Sequence, residues 1–376
     1  MDASILEHVK MGKIRITKHE IDTISKIDKV LLFTYDTNDF SGLFSNTKHI
    51  PHGFGSSLFF RKITAPITGF FALLRHHKDF RLMRFFGVAC PHAALIKKLL
   101  KSKYLIVSFH YEWAKQACLL TRNRILCAIA YLAEKFVLSQ ADIVIALTPA
   151  LAEKAKKRGA KRVIIIPNCI PQKLIRKIDN ISKEDCRNKL GIPRDKIVIL
   201  FVGRLVKIKN VSFIIKGFER IARERNDVIL YIVGDGPERE KLKKEAKHLI
   251  NSNKVVFTGF QPIEKVYLFM KAADIFVNAS LSEGHPRAVI EALASGTPVV
   301  ASRVIGNKDV IIHGINGLLF EVNDIDDFVL QLKKIINDEK LRRKLSKTAK
   351  NLARKKYDCE KVDKKQLIVL KYFATH

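Results

Sequence analysis

The chain has 376 residues, 47% of them hydrophobic, and a formal net charge of +31, which directs it towards anionic partners. That length exceeds the reach of one hydrophobic core, and the six cysteines have neither metal-site spacing nor the density of a disulfide scaffold, so two domains with reduced thiols are expected. No apolar run spans a bilayer, the stretch Ile63 to Leu74 being too short, and no signal peptide is visible; the expected location is the cytoplasm.

The first convincing strand is VLLFTYD, Val30 to Asp36, and the nearest glycine cluster after it is Gly53-Phe54-Gly55. From Ser41 to His110 there are eleven Lys and Arg against the single acid Asp79, interleaved with Phe54, Phe59, Phe60, Phe70, Phe71, Phe80, Phe85 and Phe86. Such a surface suits peripheral contact with an anionic membrane; alternatively the phenylalanines are core and the basic residues a solvated face. No nucleic-acid-binding module is recognisable, and nucleic acid is not an expected partner. Tyr104 to Ser108 reads as a strand with His110 just past its end, and ADIVIALTPALAEKAKKRGAKRVIIIPN reads as strand, helix, strand. Pro167 and Pro171 then bracket a turn, which places the domain boundary at about residues 170 and 171.

The chain restarts with the strand Ile197 to Phe201, and VGRLVKIKN delivers Arg204 and Lys209 just beyond that strand's carboxyl end. In α/β folds this end faces the ligand crevice. A planar guanidinium and a mobile ammonium suit a diphosphate. VILYIVGDGPERE and KVVFTGF repeat the strand-then-glycine pattern, ending in Gly234-Asp235-Gly236-Pro237 and in Gly259. Alternation of strands and helices throughout predicts parallel sheets of βαβ units.

The most telling stretch is SLSEGHPRAVIEALASGTPVVAS, Ser280 to Ser302, which reads as loop, helix, turn and buried strand. Gly296 supplies a left-handed helix stop and Pro298 prevents continuation. A helix starting near Pro286 directs unpaired backbone N–H groups and a positive dipole end at whatever lies before the Glu-Gly-His-Pro loop, where a diphosphate belongs. Glu283 and Glu291 are eight positions apart, too far for a close carboxylate pair, and so accept hydrogen bonds from two places on one elongated ligand such as a sugar nucleotide. Taken alone, each also reads as an ordinary helix-start or surface charge.

In order, Gly203-Arg204-Leu205 with Lys209-Asn210, Gly234-Asp235-Gly236-Pro237, Gly259, and Glu283-Gly284 with Glu291-Ala292 resemble the retaining glycosyltransferases of family four, closely from about Asp195 to Tyr357 and loosely before. The resemblance implies an α/β fold of GT-B architecture, two Rossmann-like parallel-sheet domains facing across a cleft. These would be residues 1–170 with a returning carboxyl-terminal helix at 358–376, and residues 171–357. It implies that Arg204 and Lys209 hold the donor diphosphate, that Glu283 contacts the transferred sugar and that Glu291 contacts the ribose. Backbone amides of the run Gly284, His285, Pro286 and Arg287 would help bind sugar and phosphate, while Gly203 and Gly236 line the nucleotide turns, Gly259 and Phe260 lie near the base, and His110 faces the donor sugar. The phrase Pro167-Asn168-Cys169-Ile170 departs from the family, which usually has glycine after asparagine. Family members also begin with a strand and glycine-rich loop that MDASILEHVKMGKIRITKHE does not supply, so the expectation is that the first βα unit is lost or replaced, or that the chain starts downstream of its natural beginning.

The expected activity is transfer of a glycosyl group from a nucleoside diphosphate sugar to an acceptor hydroxyl, on a glycan or lipid-linked acceptor, with retention of configuration. There is no Asp-x-Asp motif, so no metal or other cofactor is expected, and Arg204, Lys209 and the helix amino end take the place of a divalent ion. The alternatives are a sugar-nucleotide epimerase of the same fold and a non-catalytic nucleotide-sugar-binding partner subunit.

Overall fold

A computed structural model describes residues 30–34, 47–51, 58–121 and 123–375. The segment before Val30, and Gly53, Phe54 and Gly55, lie outside the described residues. Every strand pair among the described residues is parallel, as the βαβ alternation requires. The chain divides into two compact units between Ile166 and Pro167, and again between Cys359 and Glu360, so the helix Cys359–Thr375 belongs almost wholly to the first unit.

In the first unit, β1 (Val30–Thr34) pairs with β2 (Thr47–Pro51). A separate four-stranded sheet runs β3 (Leu82–Phe86), β4 (Tyr104–Phe109), β5 (Ile143–Ala146) and β6 (Val163–Ile165) in spatial order. Leu105, Val107 and Phe109 pack into the core with Ile96, Val137 and Leu138. Phe70, Phe80 and Phe85 rest against this core, whereas Phe71 is 62% exposed, so most of the described phenylalanines pack inward and Phe71 faces out. No helix among the described residues is long and apolar enough to cross a membrane.

Just past β4 lies a buried charge cluster. Glu134, fully buried, takes the Ala114 N–H at 2.9 Å and an ion pair from Arg158, while Glu112 accepts from Lys154 at 2.6 Å and Arg158 at 3.1 Å. Burial pushes the Glu134 carboxyl upwards, against the opposing pull of the Ala114 N–H and Arg158.

The second unit is built on one six-stranded sheet. Its strands are β7 (Ile197–Val202), β8 (Val228–Val233), β9 (Val255–Gly259), β10 (Ile275–Asn278), β11 (Val299–Ser302) and β12 (Leu318–Phe320). The spatial order is β12-β11-β10-β7-β8-β9, so the chain winds outward one way from β7 and then the other way from β10. The crevice beside β7 and β10, at their carboxyl ends, is the switch point where such sheets bind ligands. The strands are apolar without alternation because both faces are covered. Val198 and Leu200 enter one core cluster, while Ile199 and Phe201 enter the other. The helix Val211–Glu224 covers one face through Val211, Ile214, Ile215, Phe218 and Ile221, and the wholly buried Phe218 contributes about 2–3 kcal/mol.

The expectation of reduced thiols is corrected. Cys118 and Cys127 form a disulfide linking neighbouring helices, and Cys169 and Cys359 form another across 190 residues. Only the buried Cys90 and Cys186 are free, and burial pushes the Cys90 thiol up to about 12. Spacing along the chain says nothing of a pairing made by the fold.

Asp179, ending the helix Gln172–Asp179, accepts from Arg354 at 2.9 Å and ion-pairs Lys350 at 2.9 Å; chiefly the Arg354 bond holds its carboxyl down at about 2. A depressed carboxyl stabilises the fold above its ordinary value of 3.8, and the contribution is lost as pH falls through about 2. Asp179→Asn is therefore expected to lower the thermal unfolding midpoint near pH 7, with the deficit shrinking steadily from about pH 4 towards pH 2. A deficit of constant size over that range would show that the ion pair is not its cause.

Candidate active site

Three glycine turns close over one another at the carboxyl ends of β7, β8 and β9. Gly203 N–H donates to Val233 O at 3.0 Å, Gly234 N–H to Gly259 O at 2.8 Å, and Leu205 N–H to Asp235 O at 2.9 Å. A Cβ on Gly234 would lie 1.9 Å from Gly203 O, and one on Gly236 would lie 2.3 Å from Leu205 O. These glycines are thus demanded by turn-on-turn packing, and Gly236 in particular is spent on Leu205. Gly259 is buried at φ +71°, and the next residue, Phe260, is 39% exposed. Beyond Gly203, Arg204 is exposed and has no ion-pair partner among the described residues. The short 3-10 turn Lys207–Lys209 then leads through Asn210, at φ 53°, into the helix Val211–Glu224.

Lys209 forms an ion pair with Oε1 of Glu283, which follows β10. The same oxygen accepts from Ser280 Oγ at 2.7 Å and Asn278 Nδ2 at 3.4 Å. Oε2 carries no protein hydrogen bond among the described residues, so one oxygen is fixed and the other is open to a ligand hydroxyl. Backbone bonds join the two turns: Leu281 N–H donates to Ile208 O at 2.9 Å, and Gly306 N–H to Glu283 O at 3.2 Å.

A buried polar web beneath Glu283 escaped the sequence reading. Ser302 Oγ donates to Ser280 O at 2.7 Å, and Asn307 Nδ2 donates to Ser302 O at 2.8 Å and Asn278 Oδ1 at 3.3 Å. Asn278, Ser280, Ser302 and Asn307 are all buried. The only signal was a polar residue ending each of two otherwise apolar strands, IFVN and VVAS.

The helix Arg287–Ser295 starts after Pro286 and stops at Gly296 with φ 83°, as its punctuation requires. Its amino end follows the buried Gly284, His285 and Pro286. Glu291 lies within this helix at 4% exposure, which rules out a solvated surface role. His285 turns its side chain inward: Nδ1 accepts the Asn168 N–H at 3.2 Å, its carbonyl accepts Asn168 Nδ2 at 2.9 Å, and its ring meets Tyr357 edge-on at 5.2 Å. Burial, helped by Lys356 and Arg287, pushes its pKa down to about 3, so it is neutral at physiological pH and anchors the loop. The second unit therefore gathers Gly203, Arg204, Lys209, Glu283, Gly284 and the helix carrying Arg287 and Glu291 along the carboxyl edge of one sheet. His110, half-buried after β4, belongs to the first unit.

A family model described as glycosyl transferases group 1 matches residues 182–352. Over these residues the chain is similar to the group 1 glycosyltransferases. The matched range contains Lys209, Glu283 and Glu291. The lipopolysaccharide core biosynthesis glycosyltransferase LpsE of Rhizobium meliloti is 32% identical over 206 residues, 54% of this chain and 57% of that protein. The chain thus spans less than three-fifths of the curated relatives first matched, at 57% of each. Among solved structures, sucrose-phosphate synthase of Thermosynechococcus elongatus superposes with a TM-score of 0.80 at 20% identity, covering 96% of this chain and 94% of that one. Anabaena HepE in complex with UDP gives a TM-score of 0.74 at 19% identity, covering 94% and 95%. The fold is GT-B: α/β, with two parallel-sheet units, one of them the group 1 domain.

Proposed function

We propose that the protein transfers a glycosyl group from a nucleoside diphosphate sugar to an acceptor hydroxyl with retention of configuration, as a family-four glycosyltransferase. The observation that carries this reading is Glu283: Lys209, Ser280 and Asn278 hold one carboxylate oxygen and leave the other for a sugar hydroxyl. Arg204, Lys209 and the amino end of the helix Arg287–Ser295 supply positive charge where a leaving diphosphate would develop its negative charge, with no metal required. Glu291 takes the ribose hydroxyls, and Gly259 with Phe260 borders the base. The departing diphosphate accepts the acceptor proton on the same face of the sugar. A UDP complex of the fold relative HepE supports a nucleotide-sugar donor. The acceptor is a glycan or lipid-linked sugar, approached from an anionic membrane surface on the cytoplasmic side; the +31 charge favours that surface.

The test is release of nucleoside diphosphate from a panel of donors, with and without lipid-linked and glycan acceptors, and with the product's anomeric carbon read by NMR. Release that depends on acceptor, with the donor's configuration kept, is expected. Inverted product, or an epimerised donor formed without acceptor, would contradict the proposal. In the same assay Glu291→Ala is expected to raise KM for the donor about ten- to a hundredfold while changing kcat little, because a ribose contact is equal in ground and transition states. A pure kcat defect would move Glu291 to the reacting end of the ligand.

A further inference from the structure

The chain enters the second unit at Pro167 and leaves it at Cys359, and these two passages run side by side. Ile170 N–H donates to Tyr357 O at 2.8 Å, and Ile170 bridges Asp358 in parallel register. The Cys169–Cys359 disulfide fastens the passages, its Cα atoms 4.8 Å apart. Both cysteines are half-buried, within reach of a reductant, unlike the buried thiols Cys90 and Cys186.

The flanking residues reach the donor loop. Asn168, beside Cys169, gives His285 two hydrogen bonds, at 3.2 and 2.9 Å. Tyr357, two residues from Cys359, packs its ring edge-on against the same imidazole. His285 is separated from Glu283 by Gly284 alone, and Glu283 O is tied onward to Gly306. No other side-chain hydrogen bond to His285 is made among the described residues, so the loop that carries Glu283 is clamped by groups on the two stapled passages.

We infer that the Cys169–Cys359 pair is a thiol–disulfide switch that sets the order of the loop Glu283–Arg287 through Asn168, Tyr357 and His285. Oxidised, the staple holds Asn168 and Tyr357 against His285. Thiol–disulfide exchange with a dithiol breaks the Sγ–Sγ bond, leaves two thiols on the chain and converts the dithiol to its own disulfide, so electrons and protons balance. Freed of the staple, the two passages rest on the Ile170 backbone bond and adjoining contacts, and the clamp loosens. The effect on turnover rests on Glu283 lying in the donor site; the effect on loop order does not.

The experiment is peptide-resolved amide hydrogen exchange on the full chain, oxidised and dithiothreitol-reduced, with Cys169→Ser and, as a control on the other disulfide, Cys118→Ser. Reduction and Cys169→Ser are each expected to speed exchange at 283–287 about tenfold, with β7 and β8 still protected and Cys118→Ser without effect there. Equal exchange at 283–287 in all samples would overturn the inference. So would a rise spread evenly over the second unit, which marks a purely structural bridge, or free alkylation of Cys169 and Cys359 after treatment with oxidised glutathione. Nucleotide titration of the same samples is read separately: binding in neither state would count against the donor site and leave the exchange result standing.

Discussion

Lys209→Ala is expected to lower kcat by about two to three orders of magnitude while leaving the fold intact, measured as donor turnover alongside thermal unfolding. Among the described residues Lys209 supplies the one charged donor on Glu283 Oε1; Ser280 and Asn278 remain, both neutral. On the proposed roles, its loss removes a positive charge from the diphosphate end and loosens the carboxylate assigned to the sugar. The Lys209 side chain is 26% exposed, so the ion pair's worth to stability alone is modest, about 1 kcal/mol or less. The defect should fall on kcat, because charge accumulates on the diphosphate only as the glycosyl bond breaks. Lys209→Arg, which keeps the charge, should recover part of the loss. A Lys209→Ala enzyme within about threefold of normal turnover would remove Lys209 from the mechanism.

Gly234→Ala has the largest expected effect on stability. The added methyl would stand 1.9 Å from Gly203 O, a backbone atom with no rotamer to change, and Gly234 has φ +138°, which an L side chain rarely adopts. The turn after β7 must then move, taking Arg204 with it. A loss of about 3–5 kcal/mol is expected from urea unfolding midpoints, with nucleotide binding impaired even in protein that stays folded. Gly191→Ala is the matched control, since Gly191 also has positive φ, at +65°, but nothing lies within 4 Å of its Cβ direction. It should cost only about 1 kcal/mol. Equal losses at the two positions would show that backbone conformation, rather than packing of the turns, decides Gly234.

The local punctuation of the second unit was readable because each signal acts over a few residues. Gly296 and Pro298 stop one helix, and unbroken apolar runs such as VILYIV belong to strands covered on both faces. The edge carrying Arg204, Lys209 and Glu283 followed from the rule that ligands meet parallel strands at their carboxyl ends. What stayed hidden depends on the three-dimensional meeting of distant residues. Asn278, Ser280, Ser302 and Asn307 form one web from three segments, and no periodicity marks them. The pairing of Cys169 with Cys359 crosses 190 residues. Glu134 and Arg158 stand 24 positions apart in sequence, and only the fold buries them together. That the His285 ring turns inward onto Asn168 was hidden as well, because sequence cannot say which way a ring turns.

The central claim is that the carboxyl edge of the second unit holds a nucleoside diphosphate sugar through Arg204, Lys209, Glu283 and Glu291. The most direct measurement is thermal stabilisation of the full chain by UDP-, GDP- and ADP-sugars in metal-free buffer, repeated with Arg204→Ala and Glu291→Ala. Stabilisation by one nucleotide class that grows with its concentration, and is lost in both variants, is the predicted result. Stabilisation by no donor, or stabilisation undiminished in both variants, would contradict the claim.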